Sequence, residues 1–323
     1  MWIAQLAAME ATKELEEAKV SWDCEIDIFS IIEGAGLPLL FRPLKHLSGA
    51  YIPASESSDR AGILINCSHP RSRQRYTAAH EYAHHIHDQV LSLDRETEIV
   101  GRAQQRMLPE RERFAEVFAS WFLMPLQLIG SLKENLGIDF TYSRPEDIYQ
   151  LSLALGTSYR ATITQLVALK EISWAQANRL RNWQPKDIKE RMSLGRLTDT
   201  AWNDIWVINK KFNGHSIHPK VGDELHLYLE EAPSTGYIWV STDWDPAVIL
   251  VDQRFIESEG EIIGEGGRRE FNLKTGHAGE SSLSLSLQRP WLAGNSEVDS
   301  FHIKLFIETE RLGINPEILL VKA

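Results

Sequence analysis

The residues most able to do chemistry lie in the run His80-Glu81-Tyr82-Ala83-His84. Two histidines four apart on a helix sit on one face about one turn apart, so both imidazoles can reach a single zinc ion. The glutamate between them lies on an adjacent part of the helix, where it can touch a water at the metal without ligating the metal. That division of labour is the HExxH chemistry: zinc lowers the pKa of water, the glutamate takes the proton, and the hydroxide attacks a polarised carbonyl. His80 and His84 are therefore the expected zinc ligands and Glu81 the expected catalytic base. With 11 histidines in the chain, a chance match is on the order of a few per cent, and the surrounding elements have to decide.

A catalytic zinc keeps one position open, so one more protein ligand is needed, normally from a following helix. In the stretch from Glu110 to Pro125, residues Ala115, Phe118, Ala119, Phe122 and Leu123 recur at spacings of three and four, which predicts a helix with one buried stripe. Glu112 lies at the edge of that stripe, one turn before Ala115 and Glu116. A carboxylate aimed toward a core is costly unless it is paired or bound to metal. Glu112 is the expected third ligand and Glu116 the runner-up. His85 and His87 extend the cluster as surface or supporting residues. Cys67 follows a strand expected beside the active-site helix; its thiolate would be able to fill the open zinc position and hold the site silent.

Composition bounds the rest. The chain has 323 residues, 43% of them hydrophobic, enough for a real core divided into two or three units. A net charge of -11 argues against wholesale binding to a phosphate backbone. Neither a basic leader nor a run of roughly 20 apolar residues is present, so no membrane span is expected. Two cysteines, Cys24 and Cys67, are too few for a disulfide framework and suit a reducing cytoplasm. A soluble, cytoplasmic protein follows as the expectation.

The elements that must position these residues read as follows. Ala11 to Glu33 has mixed helical spacing, and Leu39 to Phe41 and Ala61 to Asn66 read as strands. Arg71 to Asp88 and Glu110 to Met124 read as helices, the second ended by Pro125. Three more helical stretches are expected between Pro145 and Arg196, including Ala161 to Leu169 and Ser173 to Arg181. From Gly222 onward alternation takes over, as in Leu225-His226-Leu227-Tyr228-Leu229, Ser281 to Leu287 and Phe301 to Ile307. Short alternating runs separated by Gly, Pro, Asn and Asp predict a β-sandwich or barrel. The boundary is expected near residues 205 to 217.

The stretches Ile63-Leu64-Ile65-Asn66, Arg73 to His84, and Glu112 with Ala115, Phe118-Ala119 and Phe122-Leu123-Met124-Pro125 together resemble the ImmA/IrrE (M78) family of metallopeptidases. The resemblance covers roughly residues 10 to 200, Asp147 to Ile172 resembling the family's later helical region. It puts Glu112 on the third-ligand position, while Glu116 stands where the family usually has Asn. That later region is expected to serve packing or substrate docking rather than DNA reading, since no Arg/Lys-rich recognition face is evident. The resemblance implies a zincin-like, mainly helical domain with a small sheet, holding Zn2+ and cleaving one regulatory protein partner. That partner would be a helix-turn-helix transcriptional repressor, cleaved to induce stress or antiphage-defence genes, with single-stranded DNA as one conceivable effector.

Three later stretches are similar to the loops of the chagasin family of cysteine-peptidase inhibitors, which have an immunoglobulin-like sandwich. They are Ala232 to Trp239 with Thr235, Gly236 and Tyr237; Gly264-Glu265-Gly266-Gly267; and Arg289-Pro290-Trp291-Leu292-Ala293-Gly294. Such loops form a wedge at one end of a sandwich, where glycines and an exposed Trp suit close approach to a partner. The expected architecture is α+β. A metallopeptidase domain takes residues 1–135, a helical extension 136–205, and an all-β sandwich 215–312 that senses or docks. Two alternatives remain at this level: a cysteine-peptidase inhibitor, or a DNA-binding stress regulator, each using the zinc domain as scaffold.

Overall fold

The structure is a computed structural model and describes residues 2–55, 60–95, 108–193, 203–257, 266–291 and 297–309, without the side chains of 95 and 242–244. It divides into two compact units.

The first unit takes in residues up to Ser131 together with Leu155–Asn178. Helix α1 (Trp2–Glu17) buries Ile3, Ala7, Ala11 and Leu15, one residue per turn, and so presents a single narrow stripe. Helix α2 (Ile28–Gly34) starts at Asp27, whose carboxylate accepts from the Ser30 backbone N–H. The stretch from Ala11 to Glu33 is thus two helices, because the polar segment around Asp23 to Asp27 offers a cap in place of a continuing stripe. Strands β1 (Leu39–Arg42), β2 (Leu47–Ile52), β3 (Gly62–Asn66) and β4 (Ser92–Arg95) form one sheet in the order β1-β3-β2-β4. β1 runs parallel to β3, while β2 is antiparallel to both β3 and β4. Buried Asn66, at the end of β3, donates to the carbonyls of Leu44 and Leu47 and accepts from the Leu44 N–H, which fixes the β1–β2 connection.

Helix α3 (Arg71–His87) lies on this sheet and α4 (Glu110–Leu123) packs against both α3 and α1. Pro125 separates α4 from α5 (Leu126–Leu136). The span Glu110–Leu136 is long and apolar enough to cross a membrane. Here its residues Phe118, Phe122, Leu128 and Ile129 are buried in protein. Four helices follow where three were expected: α6 (Pro145–Ala154), α7 (Tyr159–Ala168), α8 (Trp174–Arg181) and α9 (Pro185–Met192).

The second unit contains Leu132–Ala154 and Arg179–Glu310. Strands β5 (Ile205–Asn209), β6 (Ser216–Ile217), β7 (Glu224–Glu231), β8 (Ile238–Trp244), β9 (Val248–Glu257), β10 (Gly267–Thr275), β11 (Gly279–Gln288) and β12 (Asp299–Ile307) make two open sheets. Their orders are β5-β7-β10-β9 and β6-β12-β11-β8. Alternation does what it should: Leu225, Leu227 and Leu229 of β7 meet Leu283, Leu285, Phe301 and Ile303 of the facing sheet in one core.

The compact units divide the chain at other places than the expected boundaries. The sandwich begins at Ile205 rather than 215, since β5 pairs in parallel with β7 and supplies Trp206 and Ile208 to its core. Residues 136–205 are not a single extension of the peptidase domain either: Leu132–Ala154 and the stretch from Arg179 belong with the sandwich, and Leu155–Asn178 with the first unit. The physical cause is side-chain bonding. Gln150 donates to the Ile205 carbonyl at 2.6 Å and accepts from the Val207 N–H at 2.8 Å, and Tyr149 donates to Asp204 at 2.7 Å.

Candidate metal centre

Close approach of α3 to the sheet depends on Gly49 of β2. A Cβ there would lie 2.4 Å from Thr77 Cγ2, 2.7 Å from the Leu64 carbonyl and 3.7 Å from Glu81 Cγ. Thr77 and Glu81, one turn apart, form the face of α3 that meets β2. Near its N-terminal end the helix is anchored by Arg75, fully buried, with Nη1 3.2 Å from Glu25 and Nε donating to the Gly156 carbonyl at 3.2 Å.

Aromatic packing sets the register of α4 on α3. The Tyr82 ring meets Phe118 and Phe122 edge-on, at 6.1 and 6.2 Å between centroids, and His87 stacks on Phe114 at 4.0 Å. With those contacts made, Glu112 comes to the two histidines. Its Oε2 lies 3.3 Å from His80 Nε2 and 3.6 Å from His84 Nε2, and one donor atom from each of the three residues falls within 4.8 Å of the others. A tetrahedral metal with bonds of about 2.0–2.1 Å holds neighbouring donors about 3.3 Å apart. The two separations from Glu112 to the histidines match that. A second observation agrees: buried His84 Nε2 has no hydrogen-bond partner. The residues present fit a zinc-sized cation.

Glu81 is fully buried beside this cluster, and neither carboxylate oxygen has a hydrogen-bond partner of normal geometry. Burial pushes its pKa up, against the lowering influence of His80 and His84. Burial works against charge on His80. The Glu112 carboxylate, with Glu81, Glu116 and Asp94 nearby, overcomes this and pushes its pKa up to about 9. Glu112 is held well below the usual carboxylate range by the His80 and His84 imidazoles beside it.

Glu116 is engaged elsewhere: its Oε2 accepts from the Tyr76 hydroxyl at 2.7 Å. Tyr82 turns its hydroxyl away, donating to Glu14 at 2.6 Å. His85 Nδ1 lies 3.1 Å from the Tyr51 hydroxyl. The structure does not bring Cys67 to the cluster. Its thiol is buried just past β3, its carbonyl accepts from Gln74 Nε2 at 3.3 Å, and His80 stands six residues, about 9 Å of helix rise, beyond Gln74. The masking role expected of Cys67 has no geometric basis here.

Two residues that the sequence reading did not single out border the site. Asp88 Oδ2 is 3.2 Å from His84 Nδ1, and Arg111 Nε is 3.4 Å from both Asp88 Oδ2 and Glu112 Oε1. Asp88 was within reach of the sequence, four residues after His84 on one helix face. Arg111 was not, because its role depends on how α4 meets α3.

In the sandwich, the expected loop residues gather at one end. Gly236 has φ +80°, and a Cβ on it would strike Trp291 Cζ2 at 2.8 Å. Arg289 lies 4.5 Å over the Tyr237 ring and donates to the Thr235 carbonyl at 2.8 Å. A Cβ on Gly266 would lie 3.1 Å from the Glu231 carbonyl, while Gly267 is pressed against β9, its Cβ position 2.2 Å from the Ile256 carbonyl. Trp291 is 65% exposed. Gly264, Glu265 and Leu292 to Gly294 lie outside the described residues.

Comparisons with known proteins find two separate matches along the chain. Residues 32–159 match the family model of the IrrE N-terminal-like domain of peptidase family M78, and residues 218–305 that of the chagasin family peptidase inhibitor I42. The chain is 24% identical over 103 residues to Chagasin of Trypanosoma cruzi, covering 30% of this chain and 94% of that protein. It is 34% identical over 115 residues to the Radiation response metalloprotease IrrE of Deinococcus deserti, covering 34% of this chain and 38% of that protein. A solved cysteine protease inhibitor of Entamoeba histolytica, EhICP2, aligns at 23% identity with a TM-score of 0.30, over 32% of this chain and 96% of its own. Residues 32–159, which contain His80, His84 and Glu112, are thus similar to the IrrE N-terminal-like domain of peptidase family M78, and residues 218–305, within the sandwich, to the chagasin family peptidase inhibitor I42.

Proposed function

We propose that the chain is a cytoplasmic zinc endopeptidase that cleaves a protein partner, a helix-turn-helix transcriptional repressor, and so induces stress or antiphage-defence genes. The observation that carries the peptidase reading is the Glu81 carboxylate, buried and unpartnered beside three converging metal donors. Zinc, when bound, supplies the Lewis acidity that activates water and polarises the scissile carbonyl. His80, His84 and Glu112 would hold it. Glu81 takes the proton from the attacking water and returns it to the leaving amine, and its burial makes it a stronger base than a solvated glutamate. The repressor as substrate is supported by the family resemblance and the likeness to a radiation response metalloprotease.

The test is incubation of the purified chain with the repressor encoded beside its gene. Cleavage is expected, with Glu81→Gln slowing it by ~10²-fold or more while stoichiometric zinc is retained. Cleavage unchanged in Glu81→Gln, or no zinc in protein purified without chelator, would sink the peptidase reading.

The sandwich supports a second role. The gathered Thr235, Gly236, Tyr237, Gly266, Arg289 and Trp291 surface and the likeness to Chagasin favour docking of a protein partner, a papain-like cysteine peptidase among the candidates. Inhibition of papain by the full chain, lost in Trp291→Ala, supports it; no inhibition at micromolar concentration leaves the loops to substrate docking or sensing.

A further inference from the structure

We infer that Asp88 and Arg111 are positioning residues of the metal centre. Asp88 selects the ring nitrogen that His84 offers, and Arg111 restricts Glu112 to one ligating oxygen. The inference rests on the metal-centre reading above and concerns how the chain builds that centre.

A neutral imidazole carries one N–H, and its other nitrogen is the ligand. On His84 the two nitrogens face different groups: Nε2 looks toward Glu112 Oε2 at 3.6 Å, and Nδ1 toward Asp88 Oδ2 at 3.2 Å. An ionised carboxylate can only accept, so a proton facing Asp88 belongs on Nδ1, leaving the Nε2 lone pair for the metal. Arg111 Nη2 also approaches Nδ1, at 3.5 Å. That contact is longer, and a donor there would demand the opposite tautomer, so the carboxylate decides. The remaining Asp88 oxygen accepts from the Val90 N–H at 3.0 Å, which holds the side chain in place.

Asp88 stands at the C-cap of α3, where the helix dipole disfavours negative charge. A cap there would ordinarily be neutral or basic. Its cost is offset by the two groups it touches, His84 and Arg111. The Arg111 guanidinium in turn lies 3.4 Å from Glu112 Oε1 and donates to the Leu91 carbonyl at 3.3 Å. With Oε1 drawn to that charge, Oε2 is the oxygen that lies near both histidines, and Glu112 serves as a one-oxygen ligand. Asp88, Arg111 and Glu112 thus tie the end of α3 to the start of α4 through the same atoms that orient two of the three ligands.

The test uses the full chain. Zinc affinity is measured at pH 7.5 by competition with a chromophoric chelator, for wild type, Asp88→Ala, Asp88→Asn and Arg111→Gln, alongside the thermal midpoint of each metal-free protein and the visible spectrum of its cobalt(II) form. Asp88→Ala should weaken zinc binding ~10–100-fold. Asp88→Asn, whose amide oxygen still accepts from Nδ1–H, should fall between Ala and wild type. Arg111→Gln frees the second Glu112 oxygen, so its cobalt(II) absorption should weaken as coordination number rises. Affinity of Asp88→Ala within about twofold of wild type, or of Asp88→Asn equal to wild type, would overturn the role of Asp88, and an unchanged cobalt spectrum in Arg111→Gln that of Arg111. If Asp88→Ala fails to fold, Asp88→Asn decides. A wild type that binds no zinc overturns the metal-centre reading itself, which is a different result from a zinc protein indifferent to Asp88.

Discussion

Glu112 and Glu116 stand one turn apart on α4, both near His80, and the choice between them turns on Tyr76. Its hydroxyl donates to Glu116 at 2.7 Å, and burial, with the Glu116 charge and this bond, pushes the Tyr76 pKa well up. A carboxylate already committed to a buried phenol is a poor candidate for a metal, whereas Glu112 Oε2 points at both histidines. Glu112→Gln should therefore weaken zinc binding by more than the ~10–100-fold expected of a supporting residue, and Glu116→Gln should change it by less than about threefold. Chelator competition on the two variants checks this, and equal losses would return Glu116 to the ligand set. The HExxH run and the burial argument for Glu112 were legible in the sequence because each depends on spacing along one helix. Tyr76 and Arg111 act across elements, and their partners appear only once α3 and α4 are assembled.

At the scale of elements, the legible ones were those whose period is uninterrupted. Arg71–His87 and Glu110–Leu123 carry clear helical patterns, and β7 alternates residue by residue. β2 was missed because Leu47–Ile52 is buried on both faces over its middle four residues and contains Gly49, so it shows no alternation. That glycine is what the structure explains best. A methyl group at position 49 would meet the Leu64 backbone as well as the Thr77 side chain, and backbone in a paired strand cannot retreat. Gly49→Ala should destabilise the metal-free protein by ~1–3 kcal/mol, as overpacking does, and should lower zinc affinity too, since α3 must shift outward. Urea unfolding followed by chelator titration reads both. A variant as stable as wild type would show that α3 does not rest on β2 as closely as drawn.

At the scale of the whole chain, the change from helical period to alternation was legible, but the interleaving of the units was not. Segments far apart in sequence join through single polar side chains, which no periodicity announces: Lys189 donates to the Asn203 carbonyl at 2.9 Å, and Gln150 bonds both Ile205 and Val207. Asp223 is the centre of this polar layer in the second unit. It accepts from the Asp204 N–H at 2.7 Å, the Lys220 N–H at 2.8 Å and Trp206 Nε1 at 3.1 Å. Burial, with the Asp204 charge beside it, pushes its pKa up to about 6, despite the lowering influence of Lys220. In an unfolded chain an aspartate titrates near ~3.9, so between those values the folded unit holds a proton that the unfolded chain has lost. The stability this group contributes is fullest below the unfolded value and is lost as pH rises through about 6. Asn at position 223 cannot titrate, so comparing the unfolding free energies of wild type and Asp223→Asn isolates the effect from every other carboxylate. The difference should move against wild type from pH 4 to pH 7 and level off above. A flat difference, or one moving in favour of wild type, would mean that the three N–H donors hold Asp223 ionised in the fold throughout that range.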